Sequence, residues 1–211
     1  MSRVKGSFNH LLAIDCETTG LCFNPSPSPV HNDKTHERHQ TLAWGIIVAD
    51  TKTLKPVDRL YVEIKWNKTS KAQRKEDISF GTKAEQVHGL DFAYLEKNGV
   101  TEEEAVVQIG NLILKYWGPT SFIRTLGHNV HHFDLPFLRD LFERHEVPLN
   151  IGNLHYDTNS MGFGSFGSFT SDELFEAVGF EKRKDHNALD DVEQALETAR
   201  IIRTIFQQAI K

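Results

Sequence analysis

The stretch LLAIDCETTGL, residues 11–21, decides how the rest of the chain is read. Its first half, Leu11-Leu12-Ala13-Ile14, is continuously apolar, which suits a strand covered on both faces. Asp15 and Glu17 follow two residues apart. Side chains alternate along a strand, so both carboxylates project from one face. They fall where a buried strand ends, the place at which open α/β sheets put their ligands. Two carboxylates held side by side repel unless a proton or a divalent cation sits between them. Taken alone, the segment reads equally as a polar turn running into Thr18-Thr19-Gly20.

Outward from this strand the chain alternates between strand-like and helix-like runs. The strand is expected over Phe8–Ile14, followed by others over Leu42–Ala49 and Leu60–Trp66. Ala105, Ile109, Leu112, Ile113 and Tyr116 recur at helical spacing over residues 102–117, with Thr101 and Glu104 as a capping box. A short strand near Phe122–Leu126, a helix around 135–146 and a strand near Leu154–Tyr156 come next. Thr170 and Glu173 offer a second capping box for a helix through Val178, and a last helix is expected from Asn187 to Gln208. Strands first and alternating elements afterwards predict an α/β domain with a mixed sheet.

At 211 residues, with 39% hydrophobic and 25% charged residues, the composition is that of one globular domain spanning 1–211. No apolar run reaches the roughly 18–20 residues of a membrane span, and the first residues lack the apolar stretch of a secretory signal. Cys16 and Cys22 cannot build a multi-bridge framework, so a reducing cytoplasm is the expected compartment. A net charge of −5 excludes binding nucleic acid by bulk positive charge, though not an enzyme that gathers carboxylates around metal ions. Residues 22–40, with Pro25, Pro27 and Pro29 in polyproline spacing, read as a surface insertion. His31, His36 and His39 fall there with Cys22, in a spacing that matches no common zinc site.

Two further acidic clusters follow. In TLGHNVHHFDLPFL, residues 125–138, Asp134 precedes Pro136 and an apolar stripe, where the bland reading is a helix N-cap worth about 1 kcal/mol. In KDHNALDDVEQALE, residues 184–197, Asp190 and Asp191 suit a helix's first turn. His186 stands in the loop before that helix, with Asn187 as the N-cap, and from there it can fold back over the site that Asp191 faces.

Together the three clusters resemble the DEDDh, or DnaQ-like, family of 3′–5′ exonucleases of the ribonuclease H-like superfamily. Asp15, Glu17 and Thr18 match the family's D-x-E-T core. Asn129, Phe133, Asp134, Phe137 and Leu138 match its second motif, and His186, Ala188 and Asp191 its H-x-A-x-x-D motif, leaving Asp190 as the neighbour. The second motif has three residues between Asn129 and Phe133, as in the exonuclease domains of replicative polymerases, where many bacterial members have two.

The resemblance implies a central mixed five-stranded sheet flanked by helices and a site for two divalent cations, Mg²⁺ or Mn²⁺. By that likeness Asp15 bridges both ions, Glu17 and Asp191 complete the first, and Asp134 serves the second. His186 is the expected general base; Thr18, Thr19, Leu21, Asn129 and Phe133 are expected to seat the substrate's terminal nucleotide. The implied activity is release of 5′ mononucleotides from the 3′ end of nucleic acid, single-stranded DNA ahead of RNA. The alternatives are an RNA-trimming 3′–5′ exoribonuclease and, after it, a non-catalytic nucleic-acid-binding module on the same fold, and a polymerase or replication protein is the partner class implied.

Basic residues at 65–75, among them Lys65, Lys68, Lys71, Arg74 and Lys75, and a second group of Lys182, Arg183 and Lys184, are candidates for phosphate contacts. GFGSFG, residues 162–167, has the spacing of a dinucleotide fingerprint, but such a fingerprint needs a helix opening within it, and here the helix start is placed at Thr170, so the segment is expected to be a Gly/Phe loop. Its Phe163 and Phe166, with Phe169, are expected to cap the core, base stacking being the other reading.

Overall fold

The computed structural model describes residues 9–20, 39–66, 84–119, 121–167, 170–184 and 186–210. Five strands and six helices are described with both ends. In chain order they are β1 (His10–Thr18), β2 (Thr41–Asp50), β3 (Pro56–Glu63), α1 (Phe92–Asn98), α2 (Glu102–Trp117), β4 (Ile123–Gly127), α3 (Asp134–Arg144), β5 (Ile151–Asp157), α4 (Thr158–Phe166), α5 (Ser171–Ala177) and α6 (Ala188–Ala209). The strands form one mixed sheet in the order β3-β2-β1-β4-β5. β2 is antiparallel to β1 and to β3, whereas β4 runs parallel to β1 and to β5.

Strand alternation distributes the side chains of β1 between two cores. Leu12, Ile14 and Cys16 pack with Ile109 of α2 and with Leu138 and Phe142 of α3. Leu11 and Ala13 face the other way, onto Val192, Ala195, Leu196 and Ala199 of α6. Burying each aliphatic side chain contributes about 1.5–3 kcal/mol, so a strand covered on both faces anchors the fold. The same alternation puts Asp15 and Glu17 on the α6 face, at the carboxyl end of β1.

Both capping boxes are formed. The Glu104 N–H donates to Thr101 Oγ1 at 3.2 Å and the Thr101 N–H to Glu104 Oε2 at 2.8 Å; Thr170 and Glu173 repeat the pattern. Asn187 caps α6 by accepting from the Leu189 and Asp190 N–H groups.

Several boundaries differ from those read in the sequence. β1 runs on through Thr18, because Asp15 and Glu17 keep their places in the ladder opposite Gly45 and Ala43. β3 covers Pro56–Glu63 and ends before Trp66. The segment expected as a Gly/Phe loop is α4: Asp157 caps it by accepting from the Asn159 N–H, and Gly167 closes it at φ 71°, a left-handed conformation suited to glycine. Phe163 and Phe166, expected to cap the core, are instead 61% and 41% exposed. No described helix is long and apolar enough to cross a membrane. Leu21, most of the 22–40 insertion, Lys68, Lys71, Arg74, Lys75 and Phe169 lie outside the described residues.

Candidate active site

The carboxyl ends of β1 and β4 open into a cleft of about 570 Å³ lined by Asp15, Glu17, Thr18, His128, Asn129 and Phe133, and by residues of α5, α6 and the loop between them. α6 reaches this cleft by a close backbone approach. Asp15 is paired with Gly45 in the β1–β2 ladder, and a Cβ on Gly45 would lie 2.1 Å from the carbonyl oxygen of Ala188. With only hydrogen at that point, the first turn of α6 rests on the sheet. Asp191, on the buried side of that turn, is set above Asp15, while Asp190 points outward.

Asp15, Glu17 and Asp191 each offer a carboxylate oxygen within 4.8 Å of the others. Asp134 comes from a different direction, as the first residue of α3, with the Cys16 thiol and backbone beside it. The N-cap reading for Asp134 is corrected here: Phe133 occupies the cap, and Asp134 is 1% exposed with neither carboxylate oxygen in a well-formed hydrogen bond. Glu17 Oε1 is likewise buried and unpartnered among the described residues.

Burial sets the electrostatics. Withdrawal from water, followed by the charges of Asp134, Asp191 and Glu17, raises the Asp15 pKa well above the carboxylate range. Burial, then Asp191, pushes Glu17 up to about 7, and burial does the same to Asp134, also to about 7. A buried carboxylate without a donor is costly, and several together are more so, unless cations balance them. The three converging groups are all carboxylates, which suits hard divalent ions such as Mg²⁺ or Mn²⁺. The orphaned oxygens and raised pKa values therefore fit a divalent-cation site.

Two basic side chains, His186 and Arg183, stand on this cluster. His186, in the loop before α6, has Nδ1 3.0 Å from Asp191 Oδ2, and this hydrogen bond raises the histidine's pKa from its ordinary 6.5. Its backbone N–H donates to the Val87 carbonyl, so the short helical stretch 84–88 braces the loop. On the other Asp191 oxygen, Arg183 Nη1 lies 2.7 Å from Oδ1. Arg183, a candidate for phosphate contact, is engaged here in this ion pair and in bonds to Asp172 and Ser171.

Of the expected substrate-binding residues, Thr18, Asn129 and Phe133 line the cleft. Asn129 adopts φ 58°, a turn conformation that asparagine tolerates, and donates its N–H to Asp157 Oδ1. Thr19 is turned to another use: its Oγ1 accepts from the Gln40 N–H at 2.9 Å and lies 3.2 Å from His39 Nδ1. Sequence reading missed Val87, His88, His128 and Phe175 as lining residues. The available signal was slight, since residues 84–88 give too short a helix to show a period.

Sheet order, flanking helices and carboxylates at the carboxyl end of β1 define an exonuclease-type domain of the ribonuclease H-like fold. The chain belongs to the exonuclease family, whose sequence model matches residues 12–199. Among solved structures it is similar to Escherichia coli exonuclease I. The complex with a dT13 oligonucleotide gives a TM-score of 0.68 at 17% identity, over 96% of this chain and 42% of that one. The zinc-bound complex with single-stranded DNA gives 0.66 at 18%, over 93% and 41%. The nuclease domain of 3′hExo, a DEDDh family member bound to rAMP, gives 0.64 at 14%, over 96% and 94%. At these identities the likeness is one of fold, and this chain spans about two fifths of the exonuclease I chains. No curated protein matches the sequence.

Proposed function

We propose that this protein is a divalent-cation-dependent 3′–5′ exonuclease that removes 5′ mononucleotides from single-stranded nucleic acid, DNA ahead of RNA. The observation that carries the reading is the convergence of Asp15, Glu17 and Asp191 oxygens within 4.8 Å, with Asp134 buried beside them. Asp15, Glu17, Asp134 and Asp191 would hold Mg²⁺ or Mn²⁺, which supplies positive charge to the attacking and leaving oxygens of an in-line phosphoryl displacement.

The chain's own residues supply the rest. His186, on a loop with its ring 32% exposed, can turn from Asp191 to take the proton of the attacking water. Val87, Phe133 and Phe175 make the cleft partly apolar, which suits a nucleobase, while the Thr18–Gly20 turn closes its edge. The cleft volume lies within the range that encloses a small ligand. Support for a DNA strand comes from the exonuclease I complexes, and the rAMP complex of 3′hExo makes RNA the arm to compare.

The test is purified protein with 5′-labelled single-stranded DNA, duplex DNA and single-stranded RNA in Mg²⁺, Mn²⁺ or EDTA. The expected result is a ladder shortening from the 3′ end, fastest on single-stranded DNA and absent in EDTA. Cleavage at internal positions, or no cation-dependent cleavage of any substrate, would overturn the proposal.

A further inference from the structure

Arg183 is tied down by α5 in the wall of the cleft. Its side chain is 8% exposed. Nε donates to Asp172 Oδ1 at 2.9 Å, Nη2 donates to Ser171 Oγ at 2.8 Å and also bonds Asp172, and the guanidinium carbon stands 4.9 Å from the centre of the Phe175 ring. All three partners belong to α5, so a planar fork that never loses its charge is fixed by one short helix. The remaining arm, Nη1, is left on Asp191 Oδ1.

Asp191 is thus clasped at both oxygens, but the two clasps differ. His186 on Oδ2 sits in a loop and is partly exposed; Arg183 on Oδ1 is anchored and nearly buried. A cation entering the cluster can displace the histidine, whereas the guanidinium stays. Like charges a few ångströms apart in a partly buried site repel strongly.

Resting on the reading of this cluster as a divalent-cation site, we infer that Arg183 is a positioning residue that competes with the metal for Asp191. It balances the carboxylates when no metal is bound, confines Asp191 to one oxygen for the incoming ion, and so weakens metal affinity. Asp172, whose side chain is 49% exposed, moderates the effect by sharing the guanidinium's charge.

The experiment is Mn²⁺ binding to metal-stripped protein, without nucleic acid, followed by the electron paramagnetic resonance of free Mn²⁺. Arg183→Gln is expected to bind Mn²⁺ about tenfold more tightly than wild type. Arg183→Lys, which keeps the charge, should stay within about threefold of it. Lys182→Gln, which removes an exposed charge from the same loop, should change the affinity by less than about twofold. Asp172→Asn should weaken binding several-fold, because Asp191 then becomes the one carboxylate left to the guanidinium. Equal or weaker Mn²⁺ binding by a folded Arg183→Gln overturns the inference, and so does equal tightening by Lys182→Gln. Should Arg183→Gln fail to fold, an unchanged affinity in Asp172→Asn overturns it instead. A wild type that binds no Mn²⁺ removes the metal site itself, and this inference with it. A wild type that binds while its variants do not differ removes the inference alone.

Discussion

Asp15 and Gly45 face each other across the β1–β2 ladder, and the missing side chain at Gly45 leaves room for the backbone of Ala188. One glycine on β2 therefore sets the height of α6 above the sheet, and with it the distance from Asp191 to Asp15. Because the obstructing atoms are backbone, a Cβ could be admitted only by lifting the helix. Gly45→Ala is expected to cost roughly 1–3 kcal/mol of stability, as overpacking does. It should also weaken Mn²⁺ binding and activity together. Gly164→Ala, in α4 with nothing within 4 Å of the added Cβ, is the control and should be neutral or stabilising by up to about 1 kcal/mol. Chemical denaturation and Mn²⁺ titration of the two variants make the comparison.

Metal-free protein should lose stability as pH rises from about 4 to about 7. Glu17 and Asp134 titrate in the folded state near 7, well above the ordinary carboxylate range. Between the two values the folded chain holds more protons than the unfolded one, so unfolding is progressively favoured until both groups are ionised. His186, whose pKa is raised by Asp191, acts in the same sense: its contribution is full below 6.5 and fades as pH passes its folded value. Each pKa unit is worth about 1.4 kcal/mol, so the fall is large enough for chemical denaturation to resolve. Urea denaturation in EDTA at pH 5 and pH 8 measures it. Asp134→Asn should flatten the trend, and Mn²⁺ at pH 8 should reverse it.

Asp15→Ala, Glu17→Ala, Asp134→Ala and Asp191→Ala should each reduce cleavage of a labelled strand to below about 1% of wild type, with the fold retained. Asp190→Ala should keep substantial activity, because that side chain points away from the cluster. An essential Asp190 beside a dispensable Asp191 would shift the assignment of the third motif by one residue.

His186→Ala should lower kcat by roughly 10²–10⁴-fold, the usual contribution of a general base. Mn²⁺ affinity should move only a few-fold, since the carboxylates supply the ligands. In wild type kcat/KM should fall at acid pH as His186 takes up a proton, and in the variant that component should vanish at saturating metal. Near-normal turnover with the acid limb intact would leave His186 as a brace for its loop.

Much of this arrangement could be read before the fold was seen, and the exceptions have physical causes. The carboxylate pair on β1 is plain in the sequence, because a two-residue spacing on a strand has one geometric meaning. His186 is similarly legible: an N-cap at Asn187 places it outside α6. Asp134 misled local reasoning, because an aspartate at a helix start is ordinarily a cap, and only its burial shows otherwise. Arg183 sits between Lys182 and Lys184, and no pattern in three consecutive bases tells which one turns inward onto Asp191. α4 was hidden by its glycines, each of which lowers helix propensity by about 1 kcal/mol, while the Asp157 cap lies before them.

The turn after β1 is strapped to the start of β2. The Thr19 N–H donates to the Gln40 carbonyl, the Gln40 N–H donates back to Thr19 Oγ1, and a Cβ on Gly20 would collide with the His39 ring. Gly20 and His39 are therefore held against each other by the described fold. The turn beside Glu17 takes its shape from residues about twenty positions further along the chain, so it can form only once β1 and β2 are paired.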